Sequence, residues 1–300
     1  MGLDQYVHTL GNHMKARYGQ KIHKLTIDAS FTCPNRDGTL GRGGCTFCNV
    51  TSFSAEAGQG KSVAVQLAEG KARRGDSKRY MAYFQAYTST YDEYQVLKRR
   101  YEEALAVSDI VGLCVGTRPD CVPDSVLELL AQYREQGMEL WLELGLQSAH
   151  DDTLKRINRG HGFDVYRDTV ERARAMGLQV CTHLIMGLPG EGPEHAFETL
   201  DRVLELGVDG LKLHPLHVVQ NSTMAKQYAA GRLPLMDADT YMDTAAEMIR
   251  RTPESVVFHR ISAYARPPEL VAPQWCGDKW LALNGILDRL KRDGGQGSAL

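Results

Sequence analysis

The sequence predicts an α/β protein built around a parallel sheet, and two patterns lead to this fold class. Short apolar runs rich in β-forming residues recur along the chain. From the second run onward they repeat roughly every 30–45 residues, which is the size of a βα unit. Helical patterns fill the intervals, and alternating strands and helices imply a parallel sheet with right-handed crossovers. Such units form a barrel or an open doubly wound sheet, and both place the active site at the C-terminal ends of the strands.

The apolar runs define the individual strands. Six are predicted, at 24–29, 80–87, 109–116, 140–147, 178–187 and 210–219, and 255–261 is a candidate seventh. About six units fall short of the eight that close a standard βα barrel. The clearest helix, 123–137, has Pro and Asp at its start and Gly at its end, and 192–207 follows the same pattern.

The organisation along the chain indicates one domain. We expect a lead-in over 1–23, a barrel over 24–220 and a C-terminal extension over 221–291 that completes the domain. No low-complexity segment interrupts residues 20–290. The last stretch, 292–300, is expected to be disordered.

Composition excludes several classes of protein. Hydrophobic residues make up 43% of the 300 and charged residues 24%, which is the balance of a soluble globular protein. No run of about 18 apolar residues is present, so we expect no membrane span. The first ten residues lack a cationic start followed by an apolar block, so we expect no secretory signal and a cytoplasmic location. The net charge of −2 gives no global attraction for nucleic acid, and the basic runs 71–79, 98–100 and 155–159 are typical of solvated helix faces.

Three cysteines, Cys33, Cys45 and Cys48, lie in a glycine-rich stretch directly after the first predicted strand. They should therefore lie on a loop at the catalytic end of the sheet. A reducing compartment favours metal binding or redox chemistry over disulfides. Four interpretations remain open: structural zinc with a histidine, unliganded thiols in a mobile loop, a thioredoxin-like pair, and an iron–sulfur cluster.

A 4Fe–4S cluster held by three thiolates leaves one iron without a protein ligand. S-adenosylmethionine (SAM) is the candidate ligand for that iron, because its amino and carboxylate groups can chelate it. One electron from the reduced cluster then breaks a C–S bond of SAM and forms a 5′-deoxyadenosyl radical. That chemistry belongs to the cofactors, and the protein positions them and excludes side reactions.

The cysteine stretch CPNRDGTLGRGGCTFCN resembles the cluster loop of YhcC/YtqA-type radical SAM proteins, with its long spacing between the first two cysteines. More distantly it is similar to the radical SAM domains of the Elongator catalytic subunit and of oxygen-independent coproporphyrinogen dehydrogenase. Further blocks follow in the expected order over about residues 20–285. They are YFQAYTSTY (83–91), VGTRPDC (115–121), ELGLQSAHDDTLKRINRGH (143–161), HLIMGLPGE (183–191), GLKLHPLHVV (210–219) and the stretch beginning HRISAYARPPEL (259–280).

The resemblance implies a partial (β/α)6 TIM-like barrel of the radical SAM type with a C-terminal extension. It also implies a 4Fe–4S cluster on the three cysteines and SAM as the second cofactor. Gln147 would approach the SAM ribose, Arg159 the SAM carboxylate, and His183 would stand where several relatives have a ribose-binding aspartate. Gly187 and Leu213 would bring backbone toward SAM.

The remaining SAM contacts rest on less specific patterns. Phe47 would lie on the adenine. Thr88 and Ser89 replace the glycine-rich turn that binds the SAM amino group in many relatives, and Gly116 stands where some have an acid.

Other polar residues on the predicted strands suggest a substrate site. Arg118 and Asp120 form either a structural pair or a substrate contact, and Lys212, His214 and His217 are predicted to face the barrel interior. The other cysteines, Cys114, Cys121, Cys181 and Cys276, are read as small buried residues or left unassigned.

The resemblance to Elongator suggests tRNA as the substrate, at the C5 substituent of the wobble uridine, and a flavodoxin- or ferredoxin-type electron donor. The chain leaves no room for an acetyltransferase domain, so we expect a change to an existing substituent, such as removal of its carboxymethyl portion. A small-molecule or peptide substrate, or a zinc or iron–sulfur binding module without catalytic activity, are the alternatives.

Overall fold

The computed structural model describes residues 2–49, 60–74 and 79–300. Its centre is a seven-stranded sheet in which all neighbouring strands are parallel and the order is β1-β2-β3-β4-β5-β6-β8. The strands are β1 (His23–Ile27), β2 (Tyr80–Phe84), β3 (Ile110–Thr117), β4 (Glu139–Gln147), β5 (Gln179–Met186), β6 (Gly210–Pro215) and β8 (Val257–Arg260). A small antiparallel pair joins β7 (Val218–Val219) to β9 (Leu270–Ala272).

The sheet is curled into a half-barrel, since side chains of its two edge strands meet across the interior. Lys24 Nζ on β1 lies 3.0 Å from His259 Nδ1 on β8, although no backbone ladder joins these strands. The predicted α/β partial barrel is confirmed, and the candidate seventh strand at 255–261 is present as β8. The predicted strand 210–219 is divided, because the barrel strand ends at Pro215 and the chain then leaves to form β7.

Helices cover the outer face of the sheet, as the alternating pattern predicts. They are α1 (Leu10–Tyr18), α2 (Pro34–Asp37), α3 (Val63–Arg74), α4 (Tyr94–Leu105), α5 (Asp124–Glu135), α6 (Asp151–Arg156), α7 (Phe163–Ala175), α8 (Pro193–Glu205), α9 (Thr223–Ala229), α10 (Ala238–Arg250) and α11 (Leu281–Asp293). Apart from α1, which packs at the N-terminal ends of the strands, and α2, which lies on the cysteine loop, their apolar faces and the outward side chains of the strands form the main core. In the part of the chain that the structure describes, no helix is both long and apolar enough to cross a membrane.

A second, smaller core fills the barrel at the N-terminal ends of the strands. Trp141 lies at its centre, and Met14 of α1 packs into it from below. The ring of His13, also on α1, meets the Trp141 indole edge-on at 5.9 Å. The barrel is therefore closed at this end, and its interior opens toward the C-terminal ends of the strands.

Both chain ends pack together at this closed side. Gln296 is 8% exposed, and its backbone N–H donates to the carbonyl of Tyr6 at 2.8 Å. Its side-chain amide donates to the carbonyls of Pro253 (2.7 Å) and Val256 (2.8 Å). Hydrogen bonds from Gln296 to main-chain carbonyls thus hold the segment 292–300, which was expected to be disordered. The amino-acid composition of the segment does not reveal these partners, because they lie far away along the chain.

The basic runs lie mainly on helices. On α4, Lys98 and Arg100 face Glu102 and Glu103 at 3.8 and 3.4 Å, as solvated helix faces do. Residues 75–78 of the run 71–79 lie outside the described residues.

Candidate active site

A cavity of about 690 Å³ opens at the C-terminal ends of the barrel strands. Residues from β1 to β6 line it, together with the cysteine loop and the segment 260–269. This is the end of the sheet at which parallel α/β folds carry their sites. The location therefore agrees with the prediction from the order of elements.

The three cysteines of the loop lie at this cavity as free thiols. Cys33 precedes α2, and Cys45 and Cys48 follow on the same loop, all three lining the cavity. The loop needs glycine where it folds back, because Gly44 has φ 79° and a Cβ there would lie 2.9 Å from Arg36 Nε. The glycine-rich sequence thus brings three sulfur atoms to one wall.

Nitrogen donors surround the thiols. Arg159 Nη1 lies 3.4 Å and Asn35 Nδ2 3.7 Å from Cys45 Sγ. Arg36 Nη2 donates to the carbonyl of Cys48 at 2.9 Å. Three thiols with N–H donors and two guanidinium groups form a donor set that fits an anionic iron–sulfur cluster. Among the described ranges, no three His, Cys, Asp or Glu side chains converge as ligands for a single metal ion.

Five of the eight residues predicted to contact SAM line the same cavity, and three do not. Those at the cavity are Phe47, Thr88, Gln147, Arg159 and His183. The remaining three, Ser89, Gly187 and Leu213, do not line it. Leu213 is buried on the helix-covered face, because the alternate positions Lys212 and His214 point inward.

The other two residues that do not line the cavity, Ser89 and Gly187, make contacts elsewhere in the fold. Ser89 is buried, with its N–H donating to the Gly116 carbonyl (3.2 Å) and its own carbonyl accepting from the Tyr101 hydroxyl (2.5 Å). Gly187 has φ 82° and faces Met236, whose Cβ would be 3.1 Å from an added Cβ. The positive φ accounts for glycine at 187, whereas Ser89 is held by main-chain hydrogen bonds away from the cavity lining.

Arg159 is held in place by a main-chain carbonyl beside the cavity. It is 6% exposed, and its Nε and Nη2 donate to the carbonyl of Gly145 while Nη1 faces Cys45. Gly145 lines the cavity on β4, and a Cβ there would lie 2.9 Å from both Arg159 Nη2 and Gln147 Nε2. The glycine therefore gives the guanidinium and the glutamine amide room beside the cluster loop.

Gln147 ends β4 in an unusual conformation. Its φ is 82°, and the pairing register with β5 shifts between Gly145 and Gln147. A non-glycine residue with such a φ is uncommon and costs backbone strain, which proteins retain mainly at functional sites. The strain supports a role for this side chain at the cavity.

The strand interior holds a charge cluster centred on Glu143, a residue for which the sequence predicted no role. Glu143 is fully buried and receives four side chains: Lys24, Lys212, His183 and His259. Its Oε2 lies 2.7 Å from His183 Nε2 and 3.4 Å from Lys212 Nζ, and its Oε1 lies 3.0 Å from His259 Nδ1. All five lie on predicted strands, and ionisable residues within those largely apolar runs were the available signal.

The single carboxylate of Glu143 cannot compensate the charges of both lysines equally. Lys24 has the shorter contact with Glu143. Burial lowers the pKa of Lys24, but the neighbouring Cys114 and Glu143 outweigh this effect and raise it. Burial, reinforced by Arg260 and Lys24, lowers the pKa of Lys212 to about 8. Burial opposes the charge of Glu143, but the two lysines prevail and hold its pKa well below the usual range.

Lys212 forms the link between this cluster and the cavity. It lines the cavity, and its Nζ donates to the Tyr83 hydroxyl at 2.7 Å. His214 and His217 also line the cavity, with ring centroids 4.5 Å apart, so the three side chains predicted to face the interior do so.

Arg118 and Asp120 form an ion pair at the end of β3. Arg118 Nε and Nη2 donate to the two Asp120 oxygens at 2.9 and 2.7 Å, and Nη2 also donates to the Arg159 carbonyl at 2.7 Å. This ion pair agrees with the first of the two interpretations of Arg118 and Asp120, a structural pair, although Arg118 also lines the cavity. The four other cysteines are buried.

Two family models match the chain. The Radical SAM superfamily model covers residues 33–203, and the Radical_SAM C-terminal domain covers 208–292. The first includes the cysteine loop and β2 to β5, and the second includes β6, β8 and the C-terminal extension.

Known proteins resemble the chain over different lengths. Protein YhcC of Escherichia coli K12 is 58% identical over all 300 residues and 97% of its own length, and YtqA of Bacillus subtilis is 38% identical over 96% and 90%. A protein of Dehalococcoides mccartyi named tRNA uridine(34) acetyltransferase is 29% identical over 53% of the chain and 36% of its own length.

Solved structures share the fold at low sequence identity. Archaeal Elp3 of Methanocaldococcus infernus has a TM-score of 0.62 at 14% identity, over 90% of this chain and 63% of its own. SuiB of Streptococcus suis bound to S-adenosylmethionine has a TM-score of 0.55 at 14% identity, over 83% and 53%. The family models and the relatives of nearly full length agree: the chain belongs to the radical SAM superfamily, whose cofactors are SAM and a 4Fe–4S cluster.

Proposed function

We propose that a hydrogen atom is abstracted in this cavity from the C5 substituent of the wobble uridine of tRNA, and that a substituent already present is thereby altered. When bound, the cluster and SAM supply the carbon radical that removes the hydrogen. The observation that supports this reaction is the meeting of three free thiols with Gln147 and Lys212 in one cavity.

The chain's own residues would bind and orient the reactants. Cys33, Cys45 and Cys48 would hold the cluster, with Arg159 and Asn35 donating toward Cys45. The closed lower end of the barrel would exclude water from the radical. Lys212, held by Tyr83 and Glu143, would present an amine or ammonium to the substrate.

Support for tRNA comes from relatives rather than from the cavity. One relative is named for uridine 34 of tRNA, and Elp3 shares the fold. The match covers 36% of the first protein and 63% of the second. The acetyl transfer in the name of the first protein is not carried over to this chain, because most of that protein is not matched.

The reaction class is tested with protein purified anaerobically and reconstituted with iron and sulfide. Dithionite and SAM should then yield 5′-deoxyadenosine, and the Cys45→Ser variant should yield none. A wild-type protein that carries the cluster but forms no 5′-deoxyadenosine would exclude this chemistry.

The substrate is tested separately, with nucleosides from the tRNA of a deletion strain and of the complemented strain. Mass spectrometry should find a wobble uridine whose C5 substituent differs between them. Complementation with the Cys45→Ser variant is the matched control and should leave the deletion profile unchanged. Identical profiles in deletion and wild-type strains, with 5′-deoxyadenosine still formed in vitro, would assign the radical to a small molecule or peptide instead.

A further inference from the structure

Two aromatic rings stand exposed near the mouth of the cavity. Tyr264 is 42% and Trp280 is 56% exposed. Tyr264 and Arg266 line the cavity. We call Tyr264, Arg266, Lys279 and Trp280 the mouth patch. Large aromatic side chains are normally buried, so two on one rim need an explanation.

Cations border both rings of the mouth patch. Lys279 Nζ lies 4.9 Å from the Trp280 ring centroid and 5.8 Å from that of Tyr264. Arg266 Cζ lies 5.8 Å from the Tyr264 centroid. Within the described parts of the chain, neither Arg266 nor Lys279 forms an ion pair. Their positive charges therefore remain available to a ligand.

Main-chain contacts hold the patch in place. The Ala265 N–H donates to the carbonyl of buried Cys276 at 3.1 Å, which joins the two segments that carry the rings. Asp278 Oδ1 accepts from the N–H groups of Trp280 (2.8 Å) and Leu281 (3.3 Å) and so fixes the start of α11. A fixed patch loses little conformational entropy when it binds.

Positive charge continues from the mouth into the cavity. Arg260 and Lys212 line its interior below Arg266, whereas Glu269 is the one carboxylate among its described lining residues. An anionic polymer fits such a charge distribution better than a neutral apolar protein surface does. Exposed aromatic rings interleaved with cations are the pattern by which proteins bind unpaired nucleotides, with bases stacked on rings and phosphates beside cations.

We propose that the mouth patch binds the unpaired nucleotides that flank the modified base in an RNA loop. Their bases stack on Trp280 and Tyr264, and their phosphates meet Arg266 and Lys279. This inference rests on the proposed tRNA substrate and names the surface that receives it. Paired RNA, whose bases are stacked on one another, gains nothing from the rings.

The experiment measures the anisotropy of labelled RNA with the anaerobically reconstituted protein and SAM. The probes are an anticodon stem–loop and a fully paired duplex of the same length. Trp280→Ala and Tyr264→Ala should each weaken loop binding by about 5-fold or more, because a stacked base is lost. Trp280→Phe keeps a ring and should retain most of the affinity.

Charge is tested with a matched pair of lysines. Lys279→Ala should reduce the salt dependence and the affinity for the loop, whereas Lys98→Ala on α4, an exposed lysine paired with Glu102, should not. All variants should keep the wild-type circular dichroism and cluster absorbance. The variants at Lys98, Lys279 and Trp280, which do not line the cavity, should also keep 5′-deoxyadenosine formation without RNA.

The outcomes separate the two proposals. If the wild type binds the loop and the alanine variants bind it equally well, the RNA docks elsewhere and the mouth patch inference is wrong while the tRNA substrate stands. If the wild type binds neither probe, the tRNA substrate and the inference both fail, although SAM cleavage is unaffected. Binding of duplex as strong as of the loop, equally sensitive to Trp280→Ala, also contradicts stacking of unpaired bases.

Discussion

Replacing Glu143 by Gln should destabilise the protein strongly, because this one carboxylate compensates the charges of two lysines in the barrel. The amide keeps the shape of the side chain and removes its charge. Lys24 and Lys212, both in contact with Glu143, would then lie inside the barrel without a counter-ion. Removing one partner of a buried ion pair typically costs about 3–5 kcal/mol.

The structure places the expected loss at the lower end of that range. Lys212 can lose its proton, since burial lowers its pKa to about 8, so its charge need not remain. Lys24 keeps 21% of its side chain exposed, so solvent partly compensates it. We therefore expect a loss of about 3 kcal/mol, out of a total of about 5–15 kcal/mol for a typical domain.

Urea unfolding followed by circular dichroism measures this loss. With a urea slope of about 3 kcal/mol per molar, the midpoint should fall by about 1 M. Glu247→Gln is the matched control, because Glu247 also receives two cations, Arg250 and Arg251, but at the surface. Its loss should stay below about 1 kcal/mol.

A double variant isolates the cause. Lys24→Met should itself destabilise, but combined with Glu143→Gln it should restore part of the lost stability, because the uncompensated ammonium is then absent. Equal midpoints for Glu143→Gln and Glu247→Gln, or no recovery in the double variant, would refute the charge argument.

Three further predictions concern acid stability and cofactor binding. Burial lowers the pKa of His183 to about 4 and of His259 to about 3. The unfolded chain thus binds more protons below pH 6.5, and the urea midpoint should fall as the pH drops from 6.5 toward 4; a constant midpoint over this window would contradict the assignment. Cys45→Ser should lose iron, measured as iron per chain, while circular dichroism stays unchanged; full iron content would remove Cys45 from the ligand set. Gly145→Ala should weaken SAM binding in equilibrium dialysis but leave iron content intact, because the new Cβ meets Arg159 Nη2 at 2.9 Å; unchanged SAM affinity would show that the cavity has room there.

The periodic features of the sequence predicted the barrel well. Strands and helices followed from apolar periodicity, since each buried face repeats along its element. The break after Pro215 was missed, because three of the next four residues, Leu216, Val218 and Val219, are apolar and continue the run. Residues 218–219 are distinguished from the barrel strand by the pairing of β7 with β9, which lies about 50 residues away along the chain.

The site was predictable where a local motif carries it. Cys33, Cys45 and Cys48 form such a motif and line one cavity. The partners of Glu143 come from four different strands, so no local window shows them together. Arg159 was predicted to approach the SAM carboxylate, but its carbonyl partner on β4 could not be predicted, because it depends on how the loop after α6 folds back.

The seam between β1 and β8 is bridged by side chains instead of a backbone ladder. A ladder would fix the two strands at about 4.8 Å, and no substitution could widen it. Here Lys24, Glu143 and His259 span the gap with side-chain contacts. Single substitutions at these positions therefore act on the contact between the two edges of the sheet, which a backbone ladder would have protected from them.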